Sequence, residues 1–240
     1  MTRPGRVLVV TGTDTEVGKT VATAALAAAL TAAGERVVAY KPVQTGVVDD
    51  EDGDMPFVRG ATGVPAYDGV RLREPMAPVQ AATLEGRPLP ALEEHVAAVR
   101  RYAAAADTVL VEGAGGLLVE LDEHGRTLAD LTAALASAGS AASVVVVVRA
   151  GLGTLNHTML TLEALHRRDL TVAGVVVGSL GPVPSAIELA NLDHLRTRAG
   201  VPLLGVVPAG SGTLDPEAFR SAAPGWLPDG HALVARRDVG

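Results

Sequence analysis

RVLVVTGTDTEVGKT, Arg6 to Thr20, runs a short Val-rich stretch into a Gly-containing loop that ends on Lys19 and Thr20. An Ala-rich helical segment, VATAALAAALTAA, follows and stops at Gly34. Strand, loop and helix in that order form the opening βα unit of a parallel α/β fold. The same order is the context in which loop N–H groups and a helix start cradle phosphate. Within GTDTEVGKT, Lys19 suits the β- and γ-phosphates of a nucleotide and the Thr20 hydroxyl suits Mg²⁺. Glu16, Val17, Gly18 and Val21 lie along the same turn and are expected beside the nucleotide. The general phosphate-loop pattern has four residues between its glycines; here five separate Gly12 from Gly18, and Thr13 stands where the first Gly would be.

Further along, Arg36–Tyr40, Thr108–Val111, Val144–Val148, Val172–Val177 and Leu203–Val207 read as strands bounded by Gly or Pro. Ala91–Ala105 reads as a helix, and the stretch from Lys41 to about Tyr67, with Gly, Pro and a run of acids, reads as irregular. Continuous apolar strands alternating with helices predict a parallel sheet with helices on both faces, a Rossmann-like three-layer sandwich. Such sheets bind ligands beyond the carboxyl ends of their strands. Polar segments sit there: Lys41–Gly46, Glu112–Gly116, Arg149–Asn156, Gly178–Gly181 and Pro208–Gly212 each follow a strand. One domain over residues 1–240 is expected, with 224–240 as a peripheral C-terminal segment that has no clear reading.

Composition narrows the function. The formal charge of −7 opposes a nucleic-acid partner, whose footprint would be a basic face. No cysteine is present, which removes thiolate zinc sites, thiol nucleophiles and disulfides and fits a cytoplasmic location. The longest apolar run, Val144–Val148 with its small flanking residues, is far short of the roughly 18–20 residues of a membrane span, and Met1–Arg6 shows no signal peptide.

Eighteen of the 20 basic residues are Arg, and the two lysines are Lys19 and Lys41. Both follow strands. Arg is a broad planar fork and Lys a compact point charge, so a tight gap between phosphate oxygens requires the latter. The count also prunes alternatives. The Asn-Lys-x-Asp guanine-reading motif of GTPases needs a third lysine, and partition-type ATPases carry an extra lysine early in the loop, where this chain has Asp14. Class I glutamine amidotransferases with a similar nucleotide domain need a cysteine.

GTDTEVGKT, YKPVQTG at Tyr40–Gly46, VEGAGGLL at Val111–Leu118, GLGTLNHT at Gly151–Thr158 and PLLGVVP at Pro202–Pro208 occur in that order. Together they resemble the dethiobiotin synthetase family, over about Arg6 to Gly210. The first motif is shared with several ATPases; YKPVQTG with EGAGG and GTLNH is much more specific. The resemblance implies a P-loop NTPase-like fold and an ATP-dependent cyclo-ligase of biotin biosynthesis. Such an enzyme closes a ureido ring from diaminopelargonate, CO₂ and MgATP by way of a carbamate and a carbamic-phosphoric anhydride. It implies Lys19 and Lys41 as the catalytic cations and Thr15 and Thr45 as hydroxyl donors near the carbamate. Mg²⁺ would take Thr20, Glu112 and one acidic-loop carboxylate, Asp54 ahead of Asp52. Gly113, Ala114 and Gly115 would line the nucleotide, and Gly115 also the substrate. The resemblance further implies a homodimer in which Gly153, Thr154 and Asn156 hold the substrate carboxylate in the partner's site. His157 is expected to be structural.

One departure stands out. ATP-selective members of the family commonly place Asn after the fifth predicted strand, where this chain has Gly178 and Ser179. Without a side chain to read the base, discrimination is expected to be weak, with contacts from backbone at Gly178, Ser179, Pro208, Ala209 and Gly210, and another triphosphate able to serve. The rival reading is a nucleotide switch of the partition or metallocentre-assembly kind. The lack of an extra loop lysine, of Cys pairs and of basic patches weighs against it.

Overall fold

The computed structural model describes residues 4–230. Seven strands form one sheet in the order β3-β2-β4-β1-β5-β6-β7, and every pairing is parallel. The central strands are β1 (Arg6–Gly12), β4 (Thr108–Gly116) and β5 (Ala142–Val148), flanked by β2 (Val37–Gln44), β6 (Val172–Leu180) and β7 (Leu203–Pro208). Their side chains alternate between two cores. Val7, Val9, Val109, Val111, Val144 and Val146 face one layer, and Leu8, Val10, Leu110, Val145 and Val147 face the other. Both faces being dry explains why these strands read as unbroken apolar runs.

The helix α1 (Lys19–Ala32) shares the second face with α2 (Asp54–Thr62) and α8 (Pro216–Trp226). Five of its seven alanines, Ala22, Ala24, Ala25, Ala27 and Ala28, are buried, because it packs against both neighbouring helices as well as the sheet. The opposite face carries α3 (Pro78–Glu85), α4 (Leu92–Ala103), α5 (Leu128–Ser137), α6 (Thr154–His166) and α7 (Ala186–Arg198). Helices on both faces give the three-layer sandwich expected above.

The stretch after Lys41 is a correction. It is irregular only over 45–53 and 63–65: the chain continues β2 to Gln44, forms α2, and begins a seventh strand, β3 (Ala66–Arg71). Pro56 is compatible with α2 because it lies in the first turn, where its missing N–H has no intrahelical acceptor anyway. β3 pairs only with β2, so as an edge strand it tolerates the Asp and Gly that disguise it. At the C-terminal end, Ala223 and Leu227 are buried, and a side chain at Gly205 of β7 would meet the Trp226 carbonyl at 2.0 Å. Residues 224–227 therefore pack on the sheet, while 231–240 lie outside the described residues.

Candidate active site at the carboxyl edge of the sheet

The phosphate loop is shaped by two left-handed backbone positions, Glu16 (φ 55°) and Gly18 (φ 89°). Such alternation turns successive N–H groups toward one concavity, a nest for anions. Non-glycine residues rarely hold a positive φ, so Glu16 is strained, as loops built for a ligand often are. A side chain on Gly18 would sit 2.5 Å from the Gly178 carbonyl, and one on Gly178 would sit 2.0 Å from the Val17 carbonyl. The loop thus rests directly on the end of β6. Gly178 is explained first by that close seat, and only secondarily by what it does not offer to a base.

Lys19 begins α1, and its Nζ donates to the Asp14 carbonyl at 2.9 Å. Burial, and then the nearby Lys41 ammonium, lower its pKa from the ordinary value. Lys41 ends inside the sheet edge, only 4% exposed. Its ammonium donates to Asp54 Oδ2, to Glu112 Oε1 at 2.9 Å and to the Gly113 carbonyl at 3.4 Å. Burial alone would favour the neutral amine, but the Glu112 and Asp54 charges outweigh it and raise the Lys41 pKa. Glu112, at 0% exposure, is held above the ordinary carboxylate range by burial, with Lys41 opposing. Burial also acts on Asp54, but the Lys41 charge and hydrogen bond prevail and lower its pKa.

The Thr20 hydroxyl donates to Glu112 Oε1 at 3.1 Å. Glu112 Oε2 is buried with no hydrogen-bond partner. An orphaned buried oxygen of this kind costs on the order of 1–3 kcal/mol or more, so its retention points to a ligand. Three hard oxygen donors, from Thr20, Asp54 and Glu112, meet around one ammonium. That set fits Mg²⁺, which uses one or two carboxylates and completes its shell with water and phosphate. Among the described residues no three carboxylate, His or Cys side chains cluster as an all-protein cage.

A cavity of about 690 Å³ opens here. From the phosphate loop it takes Thr15, Glu16, Gly18, Lys19, Thr20 and Val21. Lys41, Thr45, Asp54, Ala114 and Gly115 also line it. Val17 is buried behind the loop, and Glu112 and Gly113 lie beneath Lys41. Other expected residues are elsewhere. Gly178 and Ser179 occupy the end of β6, and Pro208, Ala209 and Gly210 follow beside it, the Ala209 N–H donating to the Leu180 carbonyl at 2.7 Å. Gly153, Thr154 and Asn156 form the start of α6, outside this cavity. Asn156 is exposed; Thr154 is fully buried, its hydroxyl without a hydrogen-bond partner, so it offers no surface to a ligand. Asp52, the reserve for Asp54, stays exposed on the loop.

Several contributors went unassigned in the sequence. Gln44 accepts the Asp54 N–H on Oε1 at 2.9 Å and donates Nε2 to the Thr45 carbonyl at 2.9 Å, locking α2 onto the end of β2. Its place inside YKPVQTG was the available signal. Asp14 pairs with Arg149 at 3.0 Å. Pro75, Met76, Ala77 and Pro78 supply an apolar rim to the cavity, from a stretch with no motif to mark it.

A parallel sheet, a nested loop at its carboxyl edge and a Lys-Thr pair opening α1 define a phosphate-loop nucleotide-dependent domain. Solved structures agree on the fold: the cell division ATPase MinD of Pyrococcus furiosus superposes with a TM-score of 0.62 at 18% identity, covering 97% of this chain and 99% of that one. The cell division protein FtsY of Thermotoga maritima gives 0.55 at 16%, covering 93% and 70%. The AAA domain family matches residues 6–217. The ATP-dependent dethiobiotin synthetase of Streptomyces avermitilis is 50% identical over 222 residues, 92% of this chain and 91% of its own length. That of Mycobacterium avium is 47% identical over 220 residues, 91% and 94%. The chain belongs to the ATP-dependent dethiobiotin synthetases, ligases of biotin biosynthesis. Membership in that family leaves the nucleotide-switch alternative without support.

Proposed function

We propose that this chain forms dethiobiotin by closing a cyclic urea on diaminopelargonate with CO₂ and MgATP, and that Lys41 is the centre of the chemistry. The observation that carries the reading is Lys41 buried between Asp54 and Glu112 at the floor of the cavity that holds Lys19. One substrate amine adds CO₂ to give a carbamate and releases a proton. A carbamate oxygen attacks the γ-phosphorus as ADP leaves, and the second amine then attacks the carbamate carbon, expelling phosphate and releasing a proton. Phosphoryl transfer asks for charge neutralisation and in-line placement more than for covalent help.

In the resting site, Lys41 is neutralised by two carboxylates. Bound Mg²⁺ would be held by Thr20, Asp54 and Glu112 and would supply charge compensation at the phosphates. In the reaction Lys41 would turn to the carbamate and γ-phosphoryl oxygens, Lys19 would leave the Asp14 carbonyl for the phosphates, and Thr15 and Thr45 would donate hydroxyls to the reacting anion. The apolar rim at Pro75–Pro78 excludes water from the anhydride.

We infer a homodimer as well. Leu152, Met159, Leu160, Val183 and Ile187 are exposed on and around α6 and α7, an apolar surface of the kind that marks an interface. A second copy there would bring the exposed Gly153 and Asn156 to the partner's substrate, with the buried Thr154 supporting the turn between them. The described residues work as a single domain; no described helix is long and apolar enough to cross a membrane.

Protein, Mg²⁺, triphosphate, bicarbonate and diaminopelargonate, assayed for phosphate and cyclic urea, test the activity. Diamine-stimulated phosphate release with product is expected, and release indifferent to the diamine counts against it. With Gly178 and backbone at the base site, turnover with ATP, CTP, GTP and UTP should agree within roughly 100-fold, and a larger preference for ATP would require a dedicated hydrogen-bonding pocket.

A further inference from the structure

The acidic run Asp49–Asp54 must deliver one carboxylate to Lys41 although most of it is exposed. Arg71, the last residue of β3, lies at the base of this loop. Its Nη2 donates to the Asp49 and Asp52 carbonyls, both at 2.7 Å. Nη1 donates to Asp68 Oδ2 at 2.5 Å. Asp68 is itself largely buried, and burial raises its pKa with the Arg71 hydrogen bond opposing. Arg87 braces the other side by donating to the Arg71 carbonyl at 2.6 Å. The loop closes on itself as well, the Asp52 N–H reaching the Asp49 carbonyl at 3.2 Å.

The planar guanidinium is suited to this task because its fixed fork reaches a carboxylate and two carbonyls together. Two residues beyond Asp52, Asp54 opens α2 with its N–H on Gln44 and its carboxylate on Lys41. Without Arg71, five acids within six residues would repel one another, and Asp54 would be held only by its own contacts to Gln44 and Lys41.

We propose that Arg71 is a positioning residue for the divalent-metal site, holding the 49–52 turn so that the Asp54 carboxylate is presented at a fixed place. The inference rests on the assignment of Asp54 as a metal ligand. Arg71 touches neither nucleotide nor metal; it acts through two backbone carbonyls.

The test uses Mn²⁺ as the probe, titrated into full-length protein with a non-hydrolysable ATP analogue and followed through the paramagnetic signal of the free ion. Amide hydrogen exchange over residues 49–54 is measured in parallel. Arg71→Ala should weaken Mn²⁺ binding by about 10-fold or more, within the range set by removing groups that orient metal ligands, and should speed exchange over 49–54 without changing it over 12–20. Arg71→Lys should recover part of both effects. If the alanine variant unfolds, Asp68→Asn, which keeps the guanidinium but removes its anchor, should shift both readouts in the same direction by a smaller amount. Unchanged Mn²⁺ affinity in a folded variant overturns the role of Arg71, and so does unchanged exchange over 49–54. Wild-type protein whose Mn²⁺ affinity is indifferent to Asp54→Asn overturns the metal assignment instead.

Discussion

Lys41→Ala should abolish ring closure, lowering turnover by at least about 10²–10³-fold, the loss that follows removal of one preorganised donor to a developing anion. It should also weaken the fold, since Lys41 is buried against two carboxylates and removing one partner of a buried ion pair costs about 3–5 kcal/mol. The two effects separate in a second variant. Lys41→Met/Glu112→Gln takes away both charges of the deeper pair and should regain most of the lost stability in urea unfolding while remaining inactive. A folded Lys41→Ala protein that turns over at the wild-type rate would remove Lys41 from the chemistry. Recovery of activity in the double variant would make the role of Lys41 structural. Arginine is no substitute: a wide fork does not fit where one nitrogen reaches Asp54, Glu112 and the Gly113 carbonyl together.

Much of this was legible in the sequence because the decisive signals are local. A Val-rich run, a loop ending in Lys19-Thr20 and an Ala-rich helix specify the opening βα unit within fifteen residues or so of either side of the loop. The dry strands β4 to β7 announce themselves as unbroken apolar runs for the same physical reason, burial on both faces. The rarity of lysine singled out Lys41 without any knowledge of its surroundings. β3 was not legible, because an edge strand paired on one side can carry Asp68 and Gly69 where a central strand cannot. α2 was hidden by Pro56, Gly60 and the acids before it, none of which breaks a helix at the positions they occupy. The contacts that turn residues into a site were beyond local reading altogether: Lys41 and Glu112 are 71 residues apart, and Arg71 reaches back 22 residues to Asp49. Only the strand order, which sets β4 between β2 and β1, makes neighbours of Thr20, Lys41 and Glu112. Asp54 rather than Asp52 meets Lys41, in the order of preference that the family resemblance implied.

Glu112→Gln should separate the metal's requirement from that of the ion pair. In the wild type, Oε1 serves Lys41 and Thr20 while Oε2 has no partner, so one oxygen keeps the resting site together and the other is open to the proposed ligand. A glutamine that keeps its carbonyl on Lys41 and Thr20 preserves the first task and turns an N–H₂ group toward the second. Lys41 then retains Asp54 as its counter-ion, and the fold should lose little. Burial holds the Glu112 carboxyl above its ordinary value of 4.5, so the folded chain gives up this proton later than the unfolded chain does. Ionised Glu112 therefore costs stability as pH rises from about 4.5, and the cost levels off above the folded pKa. The stability of the glutamine variant relative to wild type should accordingly increase with pH across that window, a trend that urea unfolding at several pH values will read. Catalysis should move the other way: if Glu112 ligates Mg²⁺ as proposed, the Mg²⁺ concentration for half-maximal turnover should rise beyond the roughly 100-fold that outer-shell changes reach. A variant with wild-type Mg²⁺ demand would show that Oε2 meets something other than the metal, and the site would then have to hold Mg²⁺ through Thr20, Asp54 and phosphate oxygens alone.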